Sequence, residues 1–191
     1  MKTIIKTLIL ILFSQIGISQ EKSLIDLTKE INNRIDLDKA NYLILSRTIS
    51  GLIVDENNKT NWKKHYKLFV IIDKLGKTIV EEYQDGNKSK TFEINDSNIF
   101  KFLKYNFRSI NVEKLNDFEY EKNGSKVYPG RSNSGEMEIN VLFNQLTYHN
   151  KFDEFELEFS SNSKLKLVKL ISLIEEELKP YYELHPFHVK D

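Results

Sequence analysis

Histidine offers the widest chemistry in this chain, and there are four: His65, His149, His185 and His188. His185 and His188 stand three residues apart. A metal site needs such convergence, but from a rigid element and with a third ligand. This pair follows Pro180 in a tail with Pro186 between them. Such a tail selects no coordination geometry, so no metal and no cofactor is expected. His149 is followed by Asp153 and Glu154. A hydrolase would join His149 to one of these carboxylates and take a Ser or Thr hydroxyl from elsewhere. Triads are defined by geometry, and the usual local signatures are missing. There is no Gly-x-Ser-x-Gly elbow, no His-Glu-x-x-His, and no Ser-x-x-Lys with its partner motifs. Ser161 and Ser163 have lysines nearby, but both read as helix-capping serines.

Carboxylates occur in pairs at Glu81-Glu82, Asp153-Glu154 and Glu175 to Glu177. A glycosidase holds two carboxyls about 5–10 Å apart across a cleft. Adjacency does not supply that, because Glu81 and Glu82 face opposite sides of a strand. The glycines are too scattered for a phosphate-cradling loop. No catalytic residue is assigned.

The best basic patch is Lys101, Lys104 and Arg108, with Lys88 and Lys90 near in sequence and Phe102 and Tyr105 among them. It is either an anion-contacting surface or a solvated helix face above a Phe-rich core. Trp62, Tyr66, Tyr128 and Arg131 complete the candidate partner surface. Arg131 lies in the irregular loop from Pro129 to Gly135.

Location is more legible than chemistry. Met1 to Ser19 has the form of a cleaved secretory signal peptide: Lys2 and Lys6, an apolar run from Leu8 to Phe13, and small residues at Gly17 and Ser19. The run between Lys6 and Glu21 is shorter than the roughly 20 residues of a spanning helix. A lipid anchor would need a cysteine, and the chain has none. The expectation is a periplasmic or secreted protein of bacterial origin, not a lipoprotein, without stable membrane insertion. The absence of cysteine also removes disulfides, thiolate metal sites and iron–sulfur clusters.

The charge is balanced, with 28 basic and 28 acidic residues. That argues against nucleic-acid binding, which rests on a basic footprint. Twelve Phe and nine Tyr supply a core. The chain remaining after the leader is long enough to bury roughly 70% of its unfolded surface.

Periodicity predicts the elements. Glu21 to Ile35 reads as a helix, Tyr42 to Val54 as a strand bent at Gly51, and Asp55 to Lys64 as a loop. Tyr66–Asp73, Thr78–Tyr83 and Lys90–Ile94 form a meander turning at Gly76 and Asp85-Gly86. A helix capped by Asp96 or Ser97 runs from Asn98 to Arg108. Short strands flank Asn123-Gly124, and further strands cover Glu136–Phe143, Leu146–His149 and Phe155–Phe159. Ser160 to Ser163 would cap a last amphipathic helix, Lys164 to Lys179, ended by Pro180. That helix carries lysines at its start and Glu175 to Glu177 at its end, against its dipole.

The fold expected is α+β: one domain over residues 20–180, with an antiparallel sheet covered by two helices, then a tail over 181–191. Phe92–Ile94 and Phe155–Leu157 each precede a helix, which raises a duplicated unit or a chance match. The leading functional expectation is a non-enzymatic binding module with a protein or glycan partner. The alternatives are a small apolar-ligand carrier and the His149 hydrolase.

Overall fold

Side chains alternate across a strand, and in Asn41–Val54 (β1) both sets are apolar near its start. Leu43 and Leu45 face one side; Tyr42 and Ile44 face the other, and all four are buried. Such a strand must be covered on both faces. The computed structural model describes residues 24–36, 40–54, 60–74, 76–127 and 135–181. It shows the required arrangement.

β1 lies inside a six-stranded antiparallel sheet. The other strands are β2 (Thr60–Lys74), β3 (Lys77–Gln84), β4 (Asn87–Ile94), β7 (Glu136–Phe143) and β8 (Leu146–Asp153), in the order β4-β3-β2-β1-β7-β8. The first four strands form a meander, and the β7–β8 hairpin adds to the free edge of β1. β5 (Tyr120–Lys122) and β6 (Ser125–Val127) make a separate two-stranded ribbon around Asn123-Gly124. The architecture is therefore α+β, as the patterning predicts. Asp85 and Gly86 both take positive φ, 47° and 87°, which turns β3 into β4 within two residues.

Among the described residues three helices cover the sheet, where two are expected. On one face lie α2 (Ile99–Ile110) and α3 (Lys166–Leu178). They bury Ile99, Leu103, Phe107 and Ile110, and Leu167, Leu170, Ile171 and Ile174, against Leu43, Ile71, Val80 and Ile139. On the other face, α1 (Leu24–Asp36) presents Leu27, Ile31 and Ile35 at four-residue spacing to Ile44, Leu68, Val70 and Tyr83. Each such side chain contributes roughly 1.5–3 kcal/mol of burial.

The acidic end of α3 has a structural reason. Glu177 accepts hydrogen bonds from the Ser97 hydroxyl and the Asn98 amide, both at 2.6 Å, at the start of α2. Glu113, just beyond α2, accepts one from the Leu167 amide in the first turn of α3, at 3.0 Å. The two helices run antiparallel, and each N-terminus receives a carboxylate from its neighbour's chain segment. The dipole mismatch in α3 is set against a favourable charge at the N-terminus of α2.

Several expectations need correction. Ser160 to Ser163 do not cap α3. The position before the helix is Leu165, with no side-chain cap. Ser160 and Ser161 donate instead to the carbonyls of Glu119 and Phe118. Asn162 is fully buried; its Nδ2 donates to the carbonyls of Asn116 and Glu156, and its Oδ1 accepts from the Asn116 amide. Thr60 to Lys64, read as loop, are strand, because they pair with Ser50–Val54. Phe155 to Phe159 are not strand: Glu154–Glu158 is a 3₁₀ turn that follows the last β7–β8 pair, Glu136 opposite Asp153. Four strands precede α2 and a hairpin precedes α3 in the main sheet, so the halves do not repeat. Tyr181 does not belong to a tail; its ring stacks on Phe92 at 4.4 Å. Among the described residues no helix is long and apolar enough to cross a membrane. Met1–Ser19 and residues 182–191, with His185 and His188, lie outside the described residues.

Candidate functional site: the outer face of α2 and the adjoining cleft

The inner stripe of α2 is committed to the core, so helical geometry fixes what points outward. Lys101, Lys104, Tyr105 and Arg108 fall on that outer side and are exposed. Tyr105 is 80% exposed, and Val112, one turn past Arg108, is 76% exposed. The Lys104 ammonium lies 5.9 Å from the Tyr105 ring centroid, within cation–π range. Phe102 is half-buried and packs on the core, so Tyr105 is the aromatic of this face. Of the two lysines near in sequence, Lys88 is not part of this face: it lies 2.7 Å from Glu81, which Arg34 of α1 also holds on the opposite side of the sheet; Lys90 is exposed.

The segment that follows α2 walls a cleft of about 370 Å³ against β8. Asn111, Glu113, Lys114 and Leu115 stand on one side; Tyr148, Asn150 and Phe152 stand on the other, with Glu156 at one end. Most of these are polar. Tyr148 is 8% exposed, and its hydroxyl has no hydrogen-bond partner among the described residues. Burial pushes its phenol up; the neighbouring Asn150 side chain offsets part of this, and the Glu113 carboxylate adds to it. Glu156 is also raised, first by burial and then by Asp153. Sequence reading missed this cleft. Its one signal was the alternation of Tyr148 and Phe152 in β8, which turns both inward.

The remaining candidates fall elsewhere. His149 is exposed on the opposite face of the sheet, with Nε2 3.1 Å from Glu138 on β7. Glu154 pairs with Arg47 on β1, whose Nη2 and Nε meet its Oε1 and Oε2. The structure thus gives His149 a different carboxylate from the pair expected. Tyr66 is half-buried against the α1-side core, its amide bonded to Asp85. Trp62 lies in β2 opposite Leu52; its side chain, and all of Tyr128 and Arg131, lie outside the described residues. Among the described residues, no three His, Asp or Glu side chains gather as a metal site would require.

The cleft is lined mainly by polar side chains. The α2 face suits contact with an acidic surface. No family model, curated protein or solved structure matches the chain.

Proposed function

We propose that this protein is an exported, non-catalytic binding module that engages an acidic macromolecular partner through the outer face of α2. The export part of this reading rests on the Met1–Ser19 leader. One observation carries the binding part: Tyr105 is 80% exposed amid Lys101, Lys104 and Arg108. Leaving a large aromatic in water gains nothing for folding. Tyr and Arg are the residues from which interface anchors are most often made. The cations give orientation and attraction to the contact, and solvent ions screen them within about 10 Å at 0.1 M salt.

The test uses the chain from residue 20 as bait in envelope extract, beside Tyr105→Ala and a Lys101→Glu, Lys104→Glu, Arg108→Glu variant. The expected result is a partner retained by the wild type, lost by both variants and released by salt. A partner held equally by all three, or no partner at all, would overturn the reading.

A further inference from the structure

We propose that the outer edge of β8 pairs antiparallel with the β8 of a second copy of this chain, about a twofold axis at His149. The two sheets then continue into one. The contact uses a sheet edge, not the α2 stripe, and does not depend on the reading above.

The hairpin fixes which backbone groups face outward. Asn144 and Gln145 both take positive φ, 50° and 66°, so a two-residue turn joins β7 to β8 and its closing pair, Phe143 and Leu146, is hydrogen-bonded. Bonded pairs recur at every second residue. The amides and carbonyls of Thr147, His149 and Lys151 therefore point away from β7, and all three residues are exposed. Among the described residues only one of these groups meets a partner: the Lys151 amide donates to Asn150 Oδ1 at 2.9 Å. A row of donors and acceptors at strand spacing matches another extended chain.

The two edges of the sheet differ in a way that singles out β8. Edges are ordinarily blunted by bulges, lysines or cover. β4 has these devices. Its register breaks between Glu82 and Tyr83, Lys88 and Lys90 flank the break, and the Tyr181 hydroxyl donates to the Glu93 carbonyl at 3.2 Å. β8 runs eight residues in unbroken register. Its one lysine, Lys151, is turned to Glu136 across the hairpin at 2.9 Å. The segment after α2 stands off from this edge, leaving the cleft of about 370 Å³ beside Thr147, His149 and Lys151.

Self-pairing is also selective in register. Outward residues meet outward residues when the twofold falls at Tyr148, His149 or Asn150. Centring on Asn150 sets His149 opposite Lys151 twice, two groups of the same charge sign. Centring on Tyr148 leaves Lys151 opposite the turn residue Gln145, outside the ladder. Centring on His149 uses Thr147, His149 and Lys151 of both copies. The Thr147 carbonyl of the second copy then takes the place of Asn150 Oδ1 at the Lys151 amide. The same register sets Leu146, 54% exposed, opposite Phe152 of the second copy. That gives an apolar side chain at the strand's start something to cover it.

The experiment is sedimentation of the full chain from about 1 to 500 µM, joined to single cysteines placed in a chain that has none. The expected result is a concentration-dependent dimer. His149→Cys should form an intermolecular disulfide under mild oxidation, because residue 149 faces its own copy at about 5.5 Å between Cα atoms. Thr147→Cys and Lys151→Cys should not, since each lies about 13 Å from its own copy. His149→Pro removes an outward amide and leaves the β7 ladder intact, and should weaken the dimer at least about tenfold. Leu146→Lys, at an exposed position, should also weaken it and serves if the proline variant does not fold. A monomer at every concentration would overturn the proposal. So would a disulfide that forms no faster at 149 than at 147 or 151, or a dimer unchanged in the folded variants.

Discussion

Arg34 on α1 makes a two-pronged contact with Glu81 on β3, its Nη1 and Nη2 donating to Oε1 and Oε2 respectively. Glu81 is buried, and the Lys88 ammonium at 2.7 Å and the Tyr83 hydroxyl at 3.0 Å also donate to it. Burial alone would raise this carboxyl. The bonds from Arg34, Lys88 and Tyr83 outweigh burial and hold it below the usual range. The contact ties a helix to a sheet face that Leu27, Ile31 and Ile35 cover by apolar packing.

This tie should weaken in acid. A carboxyl whose folded-state pKa is depressed stabilises the fold above its unfolded value, ordinarily 4.5, and that contribution is lost as pH falls through the lower folded value. Arg34→Ala should cost about 0.5–1 kcal/mol at neutral pH, because Arg34 is 47% exposed and solvent screens it. The difference from wild type should shrink below pH 4.5. Urea unfolding at several pH values reads this directly; a pH-independent difference would remove Glu81 from the explanation.

The two inter-helix carboxylate caps should act independently. Glu177→Ala and Glu113→Ala should each cost about 1 kcal/mol, the typical loss for an N-terminal cap. They sit at opposite ends of helices of twelve and thirteen residues, about 18 Å long. The double variant should therefore be additive within about 0.5 kcal/mol. A large coupling energy in denaturant unfolding would mean that α2 and α3 move as one body when either cap fails.

Asn162 should tolerate no substitution. It is fully buried and makes three hydrogen bonds to backbone groups of Asn116 and Glu156. Asn162→Asp keeps the shape but sets a carboxylate against two carbonyl oxygens. A loss of about 3 kcal/mol follows from the unmet bonds, and should exceed that of Asn162→Ser. Melting of the two variants side by side gives the ranking.

Local chemistry is what the sequence displays. The turns at Asp85-Gly86 and Asn123-Gly124 are visible because they need only two residues, and α3 because its apolar stripe repeats every turn. The caps were not visible: Ser97 and Glu177 are 80 positions apart, and Glu113 and Leu167 are 54. A serine run before a helix looks like a cap until a distant carboxylate takes the role. Thr60–Lys64 looks like a loop because its strand character comes from β1. The α2 face was legible for the same reason as α3. The cleft was not, since Glu113 lies in a stretch without periodicity and meets Tyr148 only after the β7–β8 hairpin docks.

That docking sets an order of events. The β1–β4 meander pairs near neighbours in sequence and can close as soon as it exists. β7 must find β1 across a span such as Tyr42 to Leu142. Long-range pairing of this kind is slow, because loop closure is paid before contacts reward it. Until then β1 is an open edge bearing Leu43 and Leu45, a template for any passing strand. The last third of the chain therefore acts as a latch, and variants that destabilise the β7–β8 hairpin will show first as aggregation during refolding.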